Sequence, residues 1–534
     1  MSALPSPTPP RPSQTKIVAT VGPACAEESQ LAELVAAGVD VFRLNMAHAD
    51  RREHQARLAA IRNVAARLGR PVAVLADLAG PKIRLGDLPG GQLTCDAGDR
   101  LRFVRYPPLP LGEGRGQGKK EGNLGLGIGD LGLEKAEGHR LTELTTTYQP
   151  LVDELAPGDR VMLADGTVSL VVEEKGHDFA QCRVVQPGLI RSRQGVNLPG
   201  VKLSVPTLGP ADLDNAAWAA RSGVDFVGLS FVRSPEEVHQ LKTLLRSHDS
   251  PAQVIAKIEK PEALDHLPAI VAAADGVMVA RGDLGVEIDI ARVAVVQKEI
   301  IAACNRCRKP VIIATQMLDS MQHSRLPTRA EVADVSNAIL DGADACMLSG
   351  ETAIGQYPRE AVEMMHRIAL ATEPVCRDQP SVGARPSVGA RPSVGARPWP
   401  ALLAAGPDVT APGVNQITEA TVDAAGRIAE QLDARLIVVA SASGATALSL
   451  AKSRLYVPTV GVSDSEATLR RMCLYWGVIP LAGAPTGQSA ALLRYVTQWG
   501  RSAGLLGPGD RIVLIAGTGL AVTAHNMIVV HELE

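Results

Sequence analysis

The stretch VIAKIEKPEALDHLPAIVAAADGVMVARGD, residues 254–283, decides how the rest of the chain is read. It holds two apolar runs, Val254–Ile258 and Gly276–Val279, both too short for helices and rich in β-branched residues. Each run ends in charge: Lys257-Ile-Glu259-Lys260 after the first, Arg281-Gly282-Asp283 after the second. Short, continuously apolar runs are the pattern of parallel strands buried on both faces. Six more such runs occur, at Lys16–Thr20, Val39–Leu44, Pro71–Ala76, Val224–Leu229, Val311–Ala314 and Ala345–Leu348. Helical patterns such as Gln30–Ala37 and His54–Leu68 separate most of them. Parallel neighbours need crossover helices, so eight strand-helix units predict an α/β fold, a (β/α)8 TIM barrel.

The rhythm breaks once, between the third and fourth runs. Leu163–Glu173 and Cys182–Val185 read there as strands between Gly- and Asp-rich turns, predicting a small β domain at 88–199. It interrupts a barrel made of 15–87 and 200–373. Inside it, Leu111–Gly138 is glycine-rich, poor in core anchors and matches no phosphate-loop pattern, so it reads as a mobile, disordered loop. After the barrel, SVGARP occurs three times from Ser381 to Pro398. Three short copies cannot bury a core, so 374–412 reads as a low-complexity linker. Residues 413–534 alternate again (Ala420–Leu432, Leu436–Ala440, Thr459–Val462, Arg511–Ala516), predicting an open α/β sheet. Residues 1–14, rich in Pro and Ser and without the apolar stretch of a signal peptide, read as a disordered tail.

Composition narrows the function. Aromatics are 3% of the 534 residues while hydrophobics are 46%, so the cores must be aliphatic. A formal net charge of −3 argues against a nucleic-acid-binding basic stripe. No apolar run reaches membrane-spanning length. The eight cysteines are dispersed, which fits a reducing, cytoplasmic compartment. Cys304 and Cys307 form a lone C-x-x-C in the helix-like Val295–Cys307 and read as small buried side chains rather than a zinc site.

In such a barrel, reactive side chains stand at the C-terminal strand ends. Strand two ends in Arg43-Leu-Asn45-Met-Ala47-His48, and strand three in Asp77 followed by Lys82 and Arg84. Strand seven ends in Thr315-Gln-Met, and strand eight in Ser349-Gly-Glu351-Thr352. Glu259 and Asp283, on adjacent strands, are hard oxygen ligands that suit Mg²⁺ while leaving positions for water and substrate. Arg43, Arg84 and Lys257 supply positive charge for a phosphorylated anion, and the combination fits phosphoryl transfer. Gly282 permits close backbone approach, so amides at that helix start could receive a carboxylate. Taken singly these residues have plainer readings: Asp77 and Arg84 could pair, and Thr315 could cap a helix. The convergence of six strand ends carries the argument.

Longer segments add a resemblance. TKIVATVGPA (15–24), DVFRLNMAHAD (40–50), AVLADLAGPKIRLGD (73–87), GVNLPG (195–200), VDFVGLSFVR (224–233), IAKIEKPEAL (255–264), GVMVARGDLGVEI (276–288), IIATQMLDSM (312–321), PTRAEVADVSNAILDGADACMLSGETAIGQYP (327–358) and LYWGVIP (474–480) resemble the pyruvate kinase family. The resemblance covers the barrel almost continuously and the C-terminal part more loosely. It implies a barrel with a small inserted β-barrel lid domain and a C-terminal open-sheet α/β domain. It implies transfer of phosphate from phosphoenolpyruvate to ADP, giving pyruvate and ATP in glycolysis, with Mg²⁺ (or Mn²⁺) as cofactor. Lys257 is then the lysine that neutralises the transferring phosphoryl and the enolate oxygen, and Arg43 the phosphoryl-binding arginine. Glu259 and Asp283 become the metal ligands. The backbone of Gly282 and Asp283, with Thr315, would hold the substrate carboxylate. Thr315 and Ser349 would deliver the proton, and Asn45, His48 and Arg84 would line the nucleotide side. A homotetramer is the family's usual assembly. Ser441-Ala-Ser443-Gly444-Ala-Thr446 falls in the family's allosteric region, where a sugar-phosphate or nucleotide effector would bind, although such hydroxyls are equally ordinary helix caps.

The chain also departs from the family pattern. Ala47 replaces a serine that ligates K⁺, and Lys82 replaces the glutamate that accompanies K⁺ dependence. A lysine ammonium can stand in for the missing cation, so the expected enzyme needs no K⁺. Gln194 and Ile354 replace lysines of the nucleotide-phosphate region, with Arg191 or Arg193 as candidates for compensation. Two other readings stay open at this level: a lyase-like barrel acting on pyruvate enolates, and a non-catalytic family member with a regulatory role.

Overall fold

The computed structural model describes residues 13–105, 141–164, 166–377, 416–517 and 526–534. Residues 1–12, the glycine-rich Leu111–Gly138 and the SVGARP copies lie outside them. Ser13 and Gln14, read as part of the tail, are held in place: Ser13 Oγ lies 3.2 Å from His366 Nδ1, and the Gln14 amide donates to Glu373. No described helix is long and apolar enough to cross a membrane.

The eight expected strands close into one parallel barrel. They are Lys16–Thr20, Val41–Asn45, Ala73–Asp77, Phe226–Leu229, Gln253–Ile258, Gly276–Ala280, Val311–Ala314 and Ala345–Leu348, and the eighth pairs back with the first at Ala345 and Lys16. Val18, Val41, Leu75, Phe226, Ile255, Met278, Ile312 and Met347 share the interior cluster, which also takes in Cys473 and Leu474 from the C-terminal domain. The helices begin slightly before their apolar stripes, at Glu28 and Arg51. The extra residues are polar first turns, fixed by capping boxes of Glu27 with Gln30 and Asp50 with Glu53.

Four aspartates organise the opposite, N-terminal end of the barrel. Asp40, Asp225, Asp275 and Asp344 each directly precede an even-numbered strand. Each locks onto one residue of the preceding odd strand at two points. Asp40 donates its amide to Ile17 O and accepts from Ile17 N; Asp225 does the same with Val74, Asp275 with Val254, and Asp344 with Val311. Carboxylates that are buried, as Asp40, Asp225 and Asp344 are, require cations, and the partly exposed Asp275 has one too. Lys16 and Arg70 flank Asp40, and Lys242 binds Asp275 at 2.7 Å. Arg62 and Arg470 share Asp225 at 2.8 and 2.7 Å, while Lys452 and Arg454 share Asp344 at 2.5 and 3.1 Å. Arg470, Lys452 and Arg454 all come from the C-terminal domain, so that domain is fastened to the barrel through the strand-start carboxylates. Burial lowers the Lys452 ammonium to about 8 despite the adjacent Asp344.

The C-terminal sheet runs Val478–Pro480, Thr459–Val462, Leu436–Ala440, Arg511–Gly517, Asn526–Glu532. It is parallel except for its last strand. Val478–Pro480 and Asn526–Glu532 were not anticipated, the first because three residues give no readable period.

The insertion forms a second compact unit, Pro81–Pro206 with Gly285–Ile290. Its edges lie outside the expected 88–199 because Arg84 and Leu85 bridge to Gly195 and Thr146 of the same unit. Among the described residues, a six-stranded sheet and the two-stranded ladder of Gln92–Cys95 with Gly188–Arg191 make up its strands, over a shared apolar core. Leu163–Glu173, read as one strand, is a hairpin: Arg160–Leu163 pairs with Val168–Lys175. Ala164 (φ +50°) and Gly166 (φ +87°) make the reversal, the left-handed geometry that short hairpin turns demand.

Asp344→Ala removes the counter-charge of Lys452 and Arg454 and the acceptor of the Val311 amide. It is expected to cost ~3–5 kcal/mol in urea denaturation, and Asp275→Ala less, because Lys242 and Asp275 are partly exposed. Equal losses would mean that the strand lock, not the buried charge, sets the energy.

Candidate active site

The C-terminal ends of strands two, three and five meet on one buried anion. Asp77 closes the third strand with its side chain 1% exposed. Arg43 binds it from strand two through Nε at 2.7 Å and Nη2 at 2.6 Å, and reaches Thr20 Oγ1 at 3.2 Å. Lys257 approaches from strand five, its Nζ 3.3 Å from Asp77 Oδ1. Burial alone would raise the Asp77 carboxyl, but Lys257 and Arg43 outweigh it and hold it below the usual carboxylate range.

Lys257 uses its remaining donors on Ser230 Oγ at 2.6 Å and Glu259 Oε1 at 3.0 Å. Ser230 passes the contact on to Leu78 O at 2.7 Å. Burial would lower this lysine, yet Asp77 and Glu259 together raise it, so the ammonium stays charged. Glu259 is also buried and accepts from the Phe231 amide at 2.6 Å. Burial pushes its carboxyl up against the lowering pull of Lys257, and the nearby Asp283 carboxylate adds to the rise.

That like-charge repulsion between Glu259 and Asp283 is what a divalent cation between them would relieve. No group of three or more His, Cys, Asp or Glu among the described residues is arranged to hold a metal. A pair of carboxylates therefore fits an ion that also takes oxygens from substrate and water, not one caged by protein.

Strands six, seven and eight supply the uncharged half. The Gly282 amide donates to Thr315 Oγ1 at 2.7 Å, and that hydroxyl donates to Ala314 O at 2.6 Å. Thr315 thus takes up a first-turn amide of the helix Arg281–Glu287 that follows strand six, and does not cap the short helix Asp319–Gln322 that follows it in the chain. A Cβ on Gly282 would sit 3.4 Å from Thr315 Oγ1, so the glycine keeps the space beside that hydroxyl open. Ser349 directly follows strand eight, its Oγ buried and without a hydrogen-bond partner among the described residues. Glu351 ties the two loops, accepting from Leu318 N at 3.1 Å and Ser349 N at 2.7 Å.

Asn45 lies opposite Asp77 in the strand register, and its Oδ1 accepts from the Ala47 amide. His48 follows on the exposed loop. Lys82 and Arg84 belong to the inserted unit. There a Cβ on Gly195 would lie 3.1 Å from Lys82 Cε, and Arg84 Nη1 donates to Arg193 O. Gln194 accepts from the Arg191 amide, Arg193 pairs with Asp87 at 2.9 Å, and Ile354 is exposed. Cys304 and Cys307 are buried, as expected. Ser230 was missed. It directly follows the fourth strand, a position where the strand-end rule places reactive side chains.

A (β/α)8 enzyme that handles an anionic substrate beside a divalent metal is the class this fold and these strand ends define. The pyruvate kinase barrel-domain model matches residues 12–107 and 131–362, and the pyruvate kinase alpha/beta-domain model matches 419–531. Curated relatives include the pyruvate kinase of Geobacillus stearothermophilus, 37% identical over 98% of this chain and 80% of its own length. That of Corynebacterium glutamicum is 37% identical over 97% and 98%. The crystal structure of a pyruvate kinase from Cryptosporidium parvum superposes with a TM-score of 0.81 at 29% identity, covering 98% of this chain and 96% of that one. The chain belongs to the pyruvate kinase family. It is a phosphotransferase that moves phosphate from phosphoenolpyruvate to ADP, yielding pyruvate and ATP, in a family that uses a divalent metal.

Because Asp77 is held low, its contribution to stability is complete above its unfolded value of about 4 and is lost only as pH falls through the folded value. Asp77→Asn is expected to cost ~3 kcal/mol at neutral pH and to flatten the acid limb of urea-denaturation stability against pH. An unchanged acid limb would show that Asp77 does not carry this charge.

Proposed function

We propose that Lys257 carries the developing charge in this reaction, with Arg43 binding the phosphoryl group beside it. The observation that supports this best is the Lys257 ammonium kept charged, inside the protein, by Asp77 and Glu259. A fixed buried cation needs little reorganisation as charge moves onto the phosphoryl and enolate oxygens. Glu259 and Asp283 would hold Mg²⁺, or Mn²⁺ in its place. When bound, that ion would neutralise phosphoryl and carboxylate oxygens. The Gly282 and Asp283 backbone, with Thr315, orients the substrate carboxylate. Thr315 and Ser349 pass a proton to the enolate carbon, a role supported by the unpartnered, buried Ser349 hydroxyl. Asn45, His48 and Arg84 serve the nucleotide phosphates.

The second part of the proposal is independence from K⁺. Ala47 has no oxygen on its side chain to ligate the ion, and Lys82 brings an ammonium group instead. A homotetramer in the cytoplasm is the assembly and location that fit the family. The effector reading of Ser441–Thr446 has weaker support, since Ser441 Oγ and Ser443 Oγ already accept from the Gly444 and Ala445 amides.

Pyruvate formation from phosphoenolpyruvate, ADP and Mg²⁺ in potassium-free buffer should proceed at full rate, and added K⁺ should change it little. Activity only with K⁺ would keep the enzyme and sink the role given to Lys82. Lys257→Met should lower kcat by roughly 10²–10⁴-fold, and near-normal turnover would remove Lys257 from its role.

A further inference from the structure

Thr315 adopts a backbone conformation that its own chemistry disfavours. Its φ is +69°, and Gln316 follows at +53°. A β-branched residue stays in the left-handed region only where its surroundings hold it there. Arg281 provides that hold. Its Nη2 donates to Thr315 O at 2.9 Å and lies 3.3 Å from Gln316 O and 2.8 Å from Met317 Sδ. Its Nη1 is fixed by Asp334 at 2.7 Å and reaches Gln297 Oε1 at 3.4 Å. The next amide along, Gly282 N, binds the Thr315 hydroxyl. Two consecutive residues at the end of strand six therefore grip Thr315 twice, the guanidinium by its carbonyl and the amide by its hydroxyl. Glu351 fixes the far end of the same turn at Leu318.

We propose that Arg281, anchored by Asp334, is a positioning residue for proton delivery, holding the strained 315–317 turn so that the Thr315 hydroxyl keeps its alignment. The proposal rests on the role given above to Thr315. In that step one C–H bond forms at the methylene carbon of the enolate. The hydroxyl that gives up its proton takes one back from solvent, so the protein is unchanged at the end. Only a planar fork can bind Asp334 and span two carbonyls and a thioether at once; a lysine ammonium cannot. Loss of the fork lets the turn relax to negative φ and carries the hydroxyl away, which slows protonation more than it weakens substrate binding.

The test compares Arg281→Lys, Thr315→Val and the double variant. It reads kcat, KM for phosphoenolpyruvate, and exchange of the pyruvate methyl protons with deuterated water followed by NMR. By microscopic reversibility, that exchange reports the protonation step alone. Arg281→Lys should lower kcat and methyl exchange by roughly 10–100-fold with KM nearly unchanged, and the double variant should be no slower than Thr315→Val alone. Additive losses, or a change confined to KM, would overturn the proposal. Normal turnover and exchange in Thr315→Val would instead overturn the reading of Thr315 itself. Should Arg281→Lys fail to fold, Asp334→Asn frees the guanidinium from its anchor and is expected to lower exchange in the same way; full exchange there would also overturn the proposal.

Discussion

The catalytic half of this barrel depends on one buried carboxylate. Arg43 and Lys257 are cations on different strands, and without an anion between them they would repel each other and pay the full cost of desolvation. Asp77 lets both stay charged at the strand ends. Glu259 extends the cluster, and Ser230 Oγ accepts a further hydrogen bond from the ammonium. Charge is thus held in fixed positions in the protein, and this preorganisation is what the role proposed for Lys257 and Arg43 draws on.

The other end of the barrel repeats the same physics for a structural purpose. Four aspartates lock each even strand to the odd strand before it, and their leftover charge attracts cations. Where those cations come from the C-terminal domain, the lock becomes a domain contact, as with Arg470 on Asp225 and Lys452 on Asp344. The Arg454 guanidinium additionally lies 4.8 Å from the Trp476 ring centroid. Arg471 donates to Thr468, whose hydroxyl donates to Ala442 O in the Ser441–Thr446 loop, and Arg471 also reaches Pro251 O of the barrel. The loop and the barrel floor are thereby connected through a single short helix, Glu466–Met472.

Much of this was legible in the residues. The barrel strands were readable because a buried parallel strand is apolar at nearly every position, and three of them begin and end where the pattern says. The hairpin at Ala164–Gly166 was not, because apolar character continues on both sides of the turn and hides the reversal. Of the candidate residues, those at the strand ends could be named from position, because the barrel rule puts reactive side chains there. The contacts made by Ser230 and the clamp made by Arg281 were not legible, since each runs to a partner distant in sequence: Lys257 for one, Thr315 and Asp334 for the other.

The sequence by itself determined the family, the eight-strand order of elements and the chemistry of the strand ends, because periodicity and residue type are local properties. It also carried the departures at Ala47 and Lys82. Only the tertiary structure decided which charges meet: that Asp77 serves Arg43 and Lys257 together, that the strand-start aspartates fasten a second domain, and that Thr315 is held with a positive φ. Those are pairings between residues far apart along the chain. Their strength depends on burial and ångström-scale distance, neither of which a linear pattern encodes.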